Sequence, residues 1–414
     1  MKLKNHDKWK KLKIKAILIL AAALTVFAVY KLKIEDIIIK TETIAKYESL
    51  TDENEDSSID YNYKIPSNFL YDNIDTDSIP ADISYTYTDD GIDPELLYKM
   101  IYAQIKDGGK ECTITGVEKD DEDEIINFIK FFTREHPEIF WIHHVNEYMY
   151  NPNTNELKFN FNFFTDLSKS EFEERKKIYM DKIDSILKDA DTSWCTYAKV
   201  MYVHDYLADN TYYDYDALKD KELLASVSNT YECLINGRAV CNSYSSSFKL
   251  LANMLGAEAG VVSGRSEREG HAWNYVKIAN DYYWLDVTWD DRDKKEQNQG
   301  RVYVYFLLND ELFFKERTVG DDNLFVPVCD SMTENYFVKN NLYFEKYKFR
   351  KIKSAIKKHK NDHTVSFMFS SKKEYEKCCK NLIEKGEIRT IPFLAKKKIS
   401  SSKKESMYVL TLYY

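Results

Sequence analysis

Hydrophobic positions fall into segments of different period along the 414-residue chain. After a lysine-rich start, residues 16–30 are almost wholly apolar. Leu157, Phe159, Phe161 and Phe163 alternate with polar residues, the period of a strand buried on one face. The run Asn151-Pro152-Asn153-Thr154-Asn155 before them predicts a turn. Ser170 and Glu173 have capping-box spacing. They open a helix that places Phe172, Tyr179, Ile183 and Ile186 on one side. A second helix is predicted near residues 194–207. From Tyr244, apolar residues recur at Phe248, Leu251 and Leu255, with Gly256 as a stop, which predicts a third. Residues 271–278 and 282–290 read as strands joined by a two-residue turn at Asn280-Asp281. Near the end, residues 365–369 predict a strand, 371–385 a helix stopped by Gly386, and 407–414 a closing strand. Together these last three make a small βαβ unit.

This succession predicts an α+β protein in five parts. Residues 1–35 form a basic region and an apolar anchor or signal segment. Residues 36–62 are an acidic linker, with Asp52-Glu53-Asn54-Glu55-Asp56 as a solvated spacer. An N-terminal α+β domain spans 63–190, the core domain 191–330, and a small C-terminal α+β domain 331–414.

Charge and cysteine usage narrow the class. Lys2, Lys4, Lys8, Lys10, Lys11, Lys13 and Lys15 precede the apolar run, the pattern of an export segment. Its 15 residues are fewer than the roughly 20 of a typical spanning helix, and Ile14, Leu32 and Ile34 can extend it. An uncleaved membrane anchor and a signal cleaved after Ala28 are both open. Either puts the main body outside the cytoplasm, because the lysines stay inside. The formal charge of −9 includes that basic start, so the remainder is more acidic still, which argues against nucleic acid as a partner. The seven cysteines are scattered. Their spacing predicts neither a metal site nor a disulfide scaffold, and no cofactor motif is present. The adjacent Cys378 and Cys379 read as packing. The basic stretch 346–360 is either a solvated helix face or a contact for an anionic cell-wall polymer.

The candidate chemistry lies in three runs. Gly237-Arg238-Ala239-Val240-Cys241 leads into the helix that follows Tyr244, so Cys241 falls at, or one residue before, the first turn. A helix N-terminus favours the thiolate, which is the nucleophilic form, and leaves backbone N–H groups free for an oxyanion. His271 opens one strand and Asp286 lies in the next. Alternation puts His271, Trp273, Tyr275, Asp286 and Asp290 on one face. With a turn at Asn280-Asp281, however, His271 faces Asp290. A bulge is then needed to bring it to Asp286, and both carboxylates stay open as its partner. A nucleophile, a base and a group orienting the base are the parts of a catalytic triad. Two other pairs are set aside. His204 and Asp205 are helix neighbours that diverge, read as structural or surface residues, and His143 and His144 diverge on a strand.

The three runs resemble the transglutaminase-like superfamily in its bacterial form. The matches are Gly237, Val240 and Cys241, then His271-Ala272-Trp273-Asn274 with Val276, then Asp286-Val287-Thr288-Trp289-Asp290. The resemblance covers about residues 195–320. It implies a papain-like α+β core with Cys241, His271 and Asp286 as the triad. The family usually has glycine two residues after the cysteine, whereas Ser243 stands here. Animal transglutaminases use an upstream tryptophan in the oxyanion hole; Trp194 lies upstream here, with no motif aligning the two.

The resemblance implies a cell-surface cysteine enzyme acting on peptide or protein amide bonds through a thioester. Hydrolysis is favoured narrowly over glutamine–lysine crosslinking. The other reading is a catalytically inactive surface module that holds a peptide or wall fragment in a groove around Trp273, Tyr275 and Trp289. Arylamine acetyltransferases share the triad order, but the flanking motifs fit them poorly.

Overall fold

The computed structural model describes residues 45–50, 91, 93–105, 111–142, 148–160, 167–267, 269–291, 302–323 and 325–414. The apolar run 16–30, most of the acidic linker, His143, His144, Phe161 and Phe163 lie outside them. Among the described residues no helix is long and apolar enough to cross a membrane.

The described chain is α+β. Its first part comprises α1 (Pro94–Ile105), β1 (Glu111–Thr115), α2 (Glu122–Glu135), β2 (Tyr148–Asn151), β3 (Glu156–Asn160) and α3 (Lys169–Leu187). The three strands form an antiparallel sheet in the order β1-β3-β2. Ser168, not Ser170, caps α3: it accepts the Glu171 N–H, and its own N–H donates to the Glu171 carboxylate at 2.8 Å. The predicted apolar side is correct, with Phe172, Tyr179, Ile183 and Ile186 buried.

The middle of the chain builds the core that carries the candidate chemistry. α4 (Thr196–Asn210) is buried on nearly every side, as a central helix must be. A two-residue parallel pairing joins β4 (Tyr212–Tyr213) to β5 (Arg238–Ala239), with α5 (Lys221–Val227) between them. α6 (Cys241–Met254) then packs on a four-stranded antiparallel sheet ordered β8-β7-β6-β9. Those strands are β6 (Glu258–Ser266), β7 (Glu269–Ile278), β8 (Asp281–Leu285) and β9 (Arg317–Val319). Asn274 ties helix to sheet, donating to the Ser245 carbonyl at 2.8 Å and the Gly260 carbonyl at 3.0 Å.

The two faces of this sheet enter different cores. Ala259, Val276, Ile278, Tyr283 and Leu285 join the large core that runs through α6, α4, α3, α2 and α1 to Tyr47. Val262, Trp273, Tyr275 and Trp284 pack instead against the C-terminal unit. Trp273 and Tyr275 are therefore interior, and only half-buried Trp289 remains of the groove expected around them. The C-terminal unit is a four-stranded sheet ordered β10-β11-β13-β12, richer than a βαβ. Its strands are β10 (Tyr343–Phe344), β11 (Thr364–Phe369), β12 (Ser400–Lys404) and β13 (Val409–Tyr413). The basic helix Phe349–Lys358 buries Ile352 and Ile356 against it.

Two glycines let large rings approach β6. A Cβ at Gly260 would sit 2.2 Å from the Tyr275 ring. One at Gly264 would sit 2.1 Å from the Thr318 carbonyl oxygen and 2.6 Å from the Trp273 ring. Gly264→Ala is therefore expected to push β9 away from β6 and to cost about 1–3 kcal/mol in chemical denaturation, the usual range for overpacking. Unchanged stability would show that β9 is not held at this spacing.

Candidate functional site

Cys241 is the first residue of α6, and the extended Val240 (φ −120°) precedes it. Ser243, where the resemblance expects glycine, supports this start. Its hydroxyl accepts the Val240 N–H at 2.8 Å and donates to the Val240 carbonyl at 3.0 Å. Cys241 is half-buried, whereas the other six cysteines are buried, and all seven are free thiols. Burial pushes the Cys112 thiol up to about 12 and the Cys233 thiol up to about 11. It raises Cys329 and Cys378 as well. Among these thiols, only Cys241 combines exposure with a helix N-terminus.

The hairpin after His271 turns at Ala279-Asn280, with Ile278 paired to Asp281. Ala279 takes a positive φ of 54° at the first position of this turn, one residue before the predicted Asn280-Asp281. The shift moves each pairing by two residues, so Tyr275 faces Trp284 rather than Asp286. Continued one step past the end of the ladder, this register sets Asp286 opposite Trp273, a diagonal neighbour of His271, with no bulge between. The strand also ends earlier than expected. β8 stops at Leu285, and Asp286 caps a single helical turn, α7 (Val287–Asp290), by accepting the Trp289 N–H at 3.3 Å. Aspartate is a favoured N-cap, so the signal was present in Asp286-Val-Thr-Trp-Asp290.

These two changes separate the rival carboxylates. His271 Nε2 lies 2.8 Å from Asp286 Oδ2. Asp290 turns away: its Oδ2 meets His204 Nε2 at 3.2 Å, and its carboxylate accepts the Tyr305 N–H at 3.0 Å. His204 and Asp205 are both buried, not on the surface, and the His204 ring reaches Asp205 Oδ1 at 3.2 Å.

Sequence reasoning missed two residues. Arg317 on β9 donates from Nη2 to Asp286 Oδ2 at 2.5 Å. Its guanidinium lies over Phe313, Tyr305 and Trp289, 4.3, 4.5 and 4.6 Å from their ring centroids. A lone arginine in a short polar strand carries no sequence signal of such a role. The second is Tyr213, paired with Ala239 across β4 and β5. Its ring stacks on Tyr244, and its hydroxyl is within hydrogen-bond reach of the Cys241 backbone. Burial and the nearby Cys241 push its phenol upward, so it stays protonated. Trp194 sits elsewhere, buried against Tyr47 and Tyr202.

The electrostatics follow from these contacts. Burial alone would lower the pKa of His271. The Asp286 carboxylate, by charge and hydrogen bond, and then Cys241 outweigh that and raise it to about 10. Burial would raise Asp286, but the charges of His271 and Arg317 hold it below its usual range.

Residues 185–289 match the family model of the transglutaminase-like superfamily. The chain carries a domain of that superfamily at those positions. One similar solved structure, described as a "TGase", is 15% identical over 45% of this chain and 55% of its own, with a TM-score of 0.25. Another, a "Putative Cysteine Protease" from Cytophaga hutchinsonii, is 10% identical over 34% of this chain and 61% of its own, with a TM-score of 0.22. The chain thus spans less than two thirds of either. No curated protein matches it.

A histidine whose pKa is raised on folding stabilises the native state fully below its unfolded value of about 6.5, and that stabilisation is lost as pH rises through the folded value. For His271 the loss runs from about 6.5 to about 10. Asp286→Asn is expected to lower the His271 titration by about 1–3 pH units and to shrink this alkaline decline. Ring resonances followed by NMR, together with denaturation at pH steps, read both. An unmoved titration would exclude Asp286 as the source of the shift.

Proposed function

We propose that residues 191–330 form a cysteine enzyme that acts on peptide or protein amide bonds through a Cys241 thioester. The observation that supports this best is His271, which meets Asp286 through Nε2 while Cys241 acts on the same ring from a helix N-terminus. In this reading His271 holds the proton as an imidazolium and Cys241 attacks the carbonyl carbon as a thiolate. The oxyanion that forms accepts hydrogen bonds from the Cys241 N–H and the Tyr213 hydroxyl. As the C–N bond breaks, His271 passes its proton to the leaving amine. His271 then takes a proton from water, the hydroxide attacks the thioester, and the acid leaves as the thiolate is restored. Asp286 keeps the ring aligned and compensates its charge.

An amine in place of water would give glutamine–lysine crosslinking with the same residues. We favour hydrolysis, acting at the cell surface with residues 1–35 as anchor or signal. Dansylcadaverine incorporation into casein, compared with water-driven release of acid or ammonia, separates the two outcomes.

Alkylation of the full chain with iodoacetamide, read residue by residue by mass spectrometry, tests the nucleophile. Cys241 is expected to label fast at about pH 6, and His271→Ala should abolish that. Labelling no faster than Cys112 or Cys329 and indifferent to the substitution would leave a binding module. Tyr213→Phe is expected to slow acylation by p-nitrophenyl acetate by about 100-fold, the usual loss for one oxyanion donor. Iodoacetamide forms no oxyanion, so its rate should hold. Equal losses with both reagents would remove Tyr213 from the oxyanion site.

A further inference from the structure

Besides its apolar residues, α4 buries Lys199, His204 and Asp205. Tyr197, Val200, Met201, Val203 and Leu207 are buried around His204 and Asp205, which are 1% exposed each. Asp205 Oδ2 accepts Lys46 Nζ at 2.5 Å and the Tyr47 hydroxyl at 2.8 Å. His204 bridges Asp205 to Asp290 at 3.2 Å on either side. Lys46, Asp205, His204 and Asp290 therefore form a row of ionisable groups that runs from Lys46, whose side chain is 38% exposed, into the core. Burial would lower the pKa of His204, but hydrogen bonds to Asp205 and Asp290 raise it to about 9, so it is an imidazolium at neutral pH.

Stability does not explain this row. Buried ion pairs are expensive to desolvate, and apolar side chains of the same volume often stabilise a core as well or better. What the row does is fix a place. Both carboxylate oxygens of Asp290 accept the Tyr305 N–H, at 3.0 and 3.1 Å. The Tyr305 carbonyl in turn accepts the Asp286 N–H at 3.1 Å. The Tyr305 ring packs on Arg317, which donates to the Asp286 carboxylate. Asp290 also closes the α7 turn with its own N–H on the Asp286 carbonyl at 3.2 Å. Asp290 thus reaches Asp286 through the turn itself, through one peptide unit and through one cation.

We propose that His204 is a positioning residue, which acts through Asp290 and Tyr305 to hold the turn that presents Asp286 to His271. The proposal rests on the catalytic reading of Cys241, His271 and Asp286 given above. Loss of His204 frees Asp290, lets α7 and Tyr305 shift, and loosens the carboxylate that keeps His271 charged.

The test uses the full chain with His204→Leu, His204→Gln and Asp290→Asn. The readouts are the pH profile of Cys241 alkylation by iodoacetamide and the NMR titration of the His271 ring. In the wild type the upper limb of the profile is expected at about 10, where His271 loses its proton. His204→Leu should move it down by about one pH unit, a tenfold weakening of the hold on the proton. His204→Gln, which keeps a donor toward Asp290, should restore most of it. Asp290→Asn preserves the shape of the turn and should move the limb as His204→Leu does, which covers the case of a leucine variant that does not fold. An unmoved limb and ring titration in folded His204→Leu or in Asp290→Asn would overturn the proposal, leaving His204 a packing residue. The ring titration reports the hold on His271 even if wild-type Cys241 labels no faster than Cys112. A failed enzyme reading and a failed positioning role are therefore distinguishable.

Discussion

The structure turns on one buried carboxylate shared between two cations. Asp286 is 1% exposed, and a carboxylate at such a site is stable in its charged form only with partners that replace water. His271 and Arg317 both reach the same oxygen, while the Trp289 N–H reaches the other. Several features elsewhere make sense as support for this meeting. Gly264 lets β9 come close enough to deliver Arg317. The early end of β8 turns Asp286 off the ladder and into a cap. The rings of Phe313, Tyr305 and Trp289 surround the guanidinium with negative π faces in place of further acceptors.

The C-terminal unit belongs to the same support. Lys404, at the end of β12, lies 4.7 Å from the Trp289 ring centroid and pairs with Glu316 at 2.9 Å. Glu316 also accepts the Tyr305 hydroxyl at 2.9 Å and the Ser406 hydroxyl at 2.6 Å. The unit thus buttresses the aromatic box around Arg317 from outside, while α4 and its ion row hold Tyr305 and α7 from inside. Both faces of the sheet are held by apolar burial, with peripheral hydrogen bonds added on one side and the His204 row on the other.

Much of this was legible before any coordinates. The helix stop at Gly256, the apolar stripe of α3, the Cys241 helix start and the shared face of His271 and Asp286 all follow from period and capping chemistry. The misreadings have local causes. Asn280 is a stronger turn signal than Ala279, so the hairpin was set off by one position, which displaced every pairing by two. The aromatic run continuing into Val287-Thr288-Trp289 has strand propensity, which hid the capping role of Asp286. Adjacent residues on a helix diverge, so His204 and Asp205 were read as unrelated, yet burial on all sides of α4 lets the imidazole fold back. Arg317 was invisible because its importance comes from a partner 31 residues away. No periodicity encodes that meeting.

The arrangement also decides where one proton rests. Cys241 acts on the His271 ring by hydrogen bond and by charge. Asp286 and Cys241 both favour the charged imidazole. The charges of His271 and then of Arg317 hold Asp286 below its usual range against burial. If Arg317 were neutral, Asp286 would be more easily protonated, and His271 would lose the charge that holds its proton against burial. Arg317 thus supports the carboxylate, and the carboxylate and the imidazole support each other. This support depends on burial, because in water the same charges at the same spacings would be screened to about 1 kcal/mol each. That is why the aromatic box and the two cores on either side of the sheet belong to this site as much as its charged groups do.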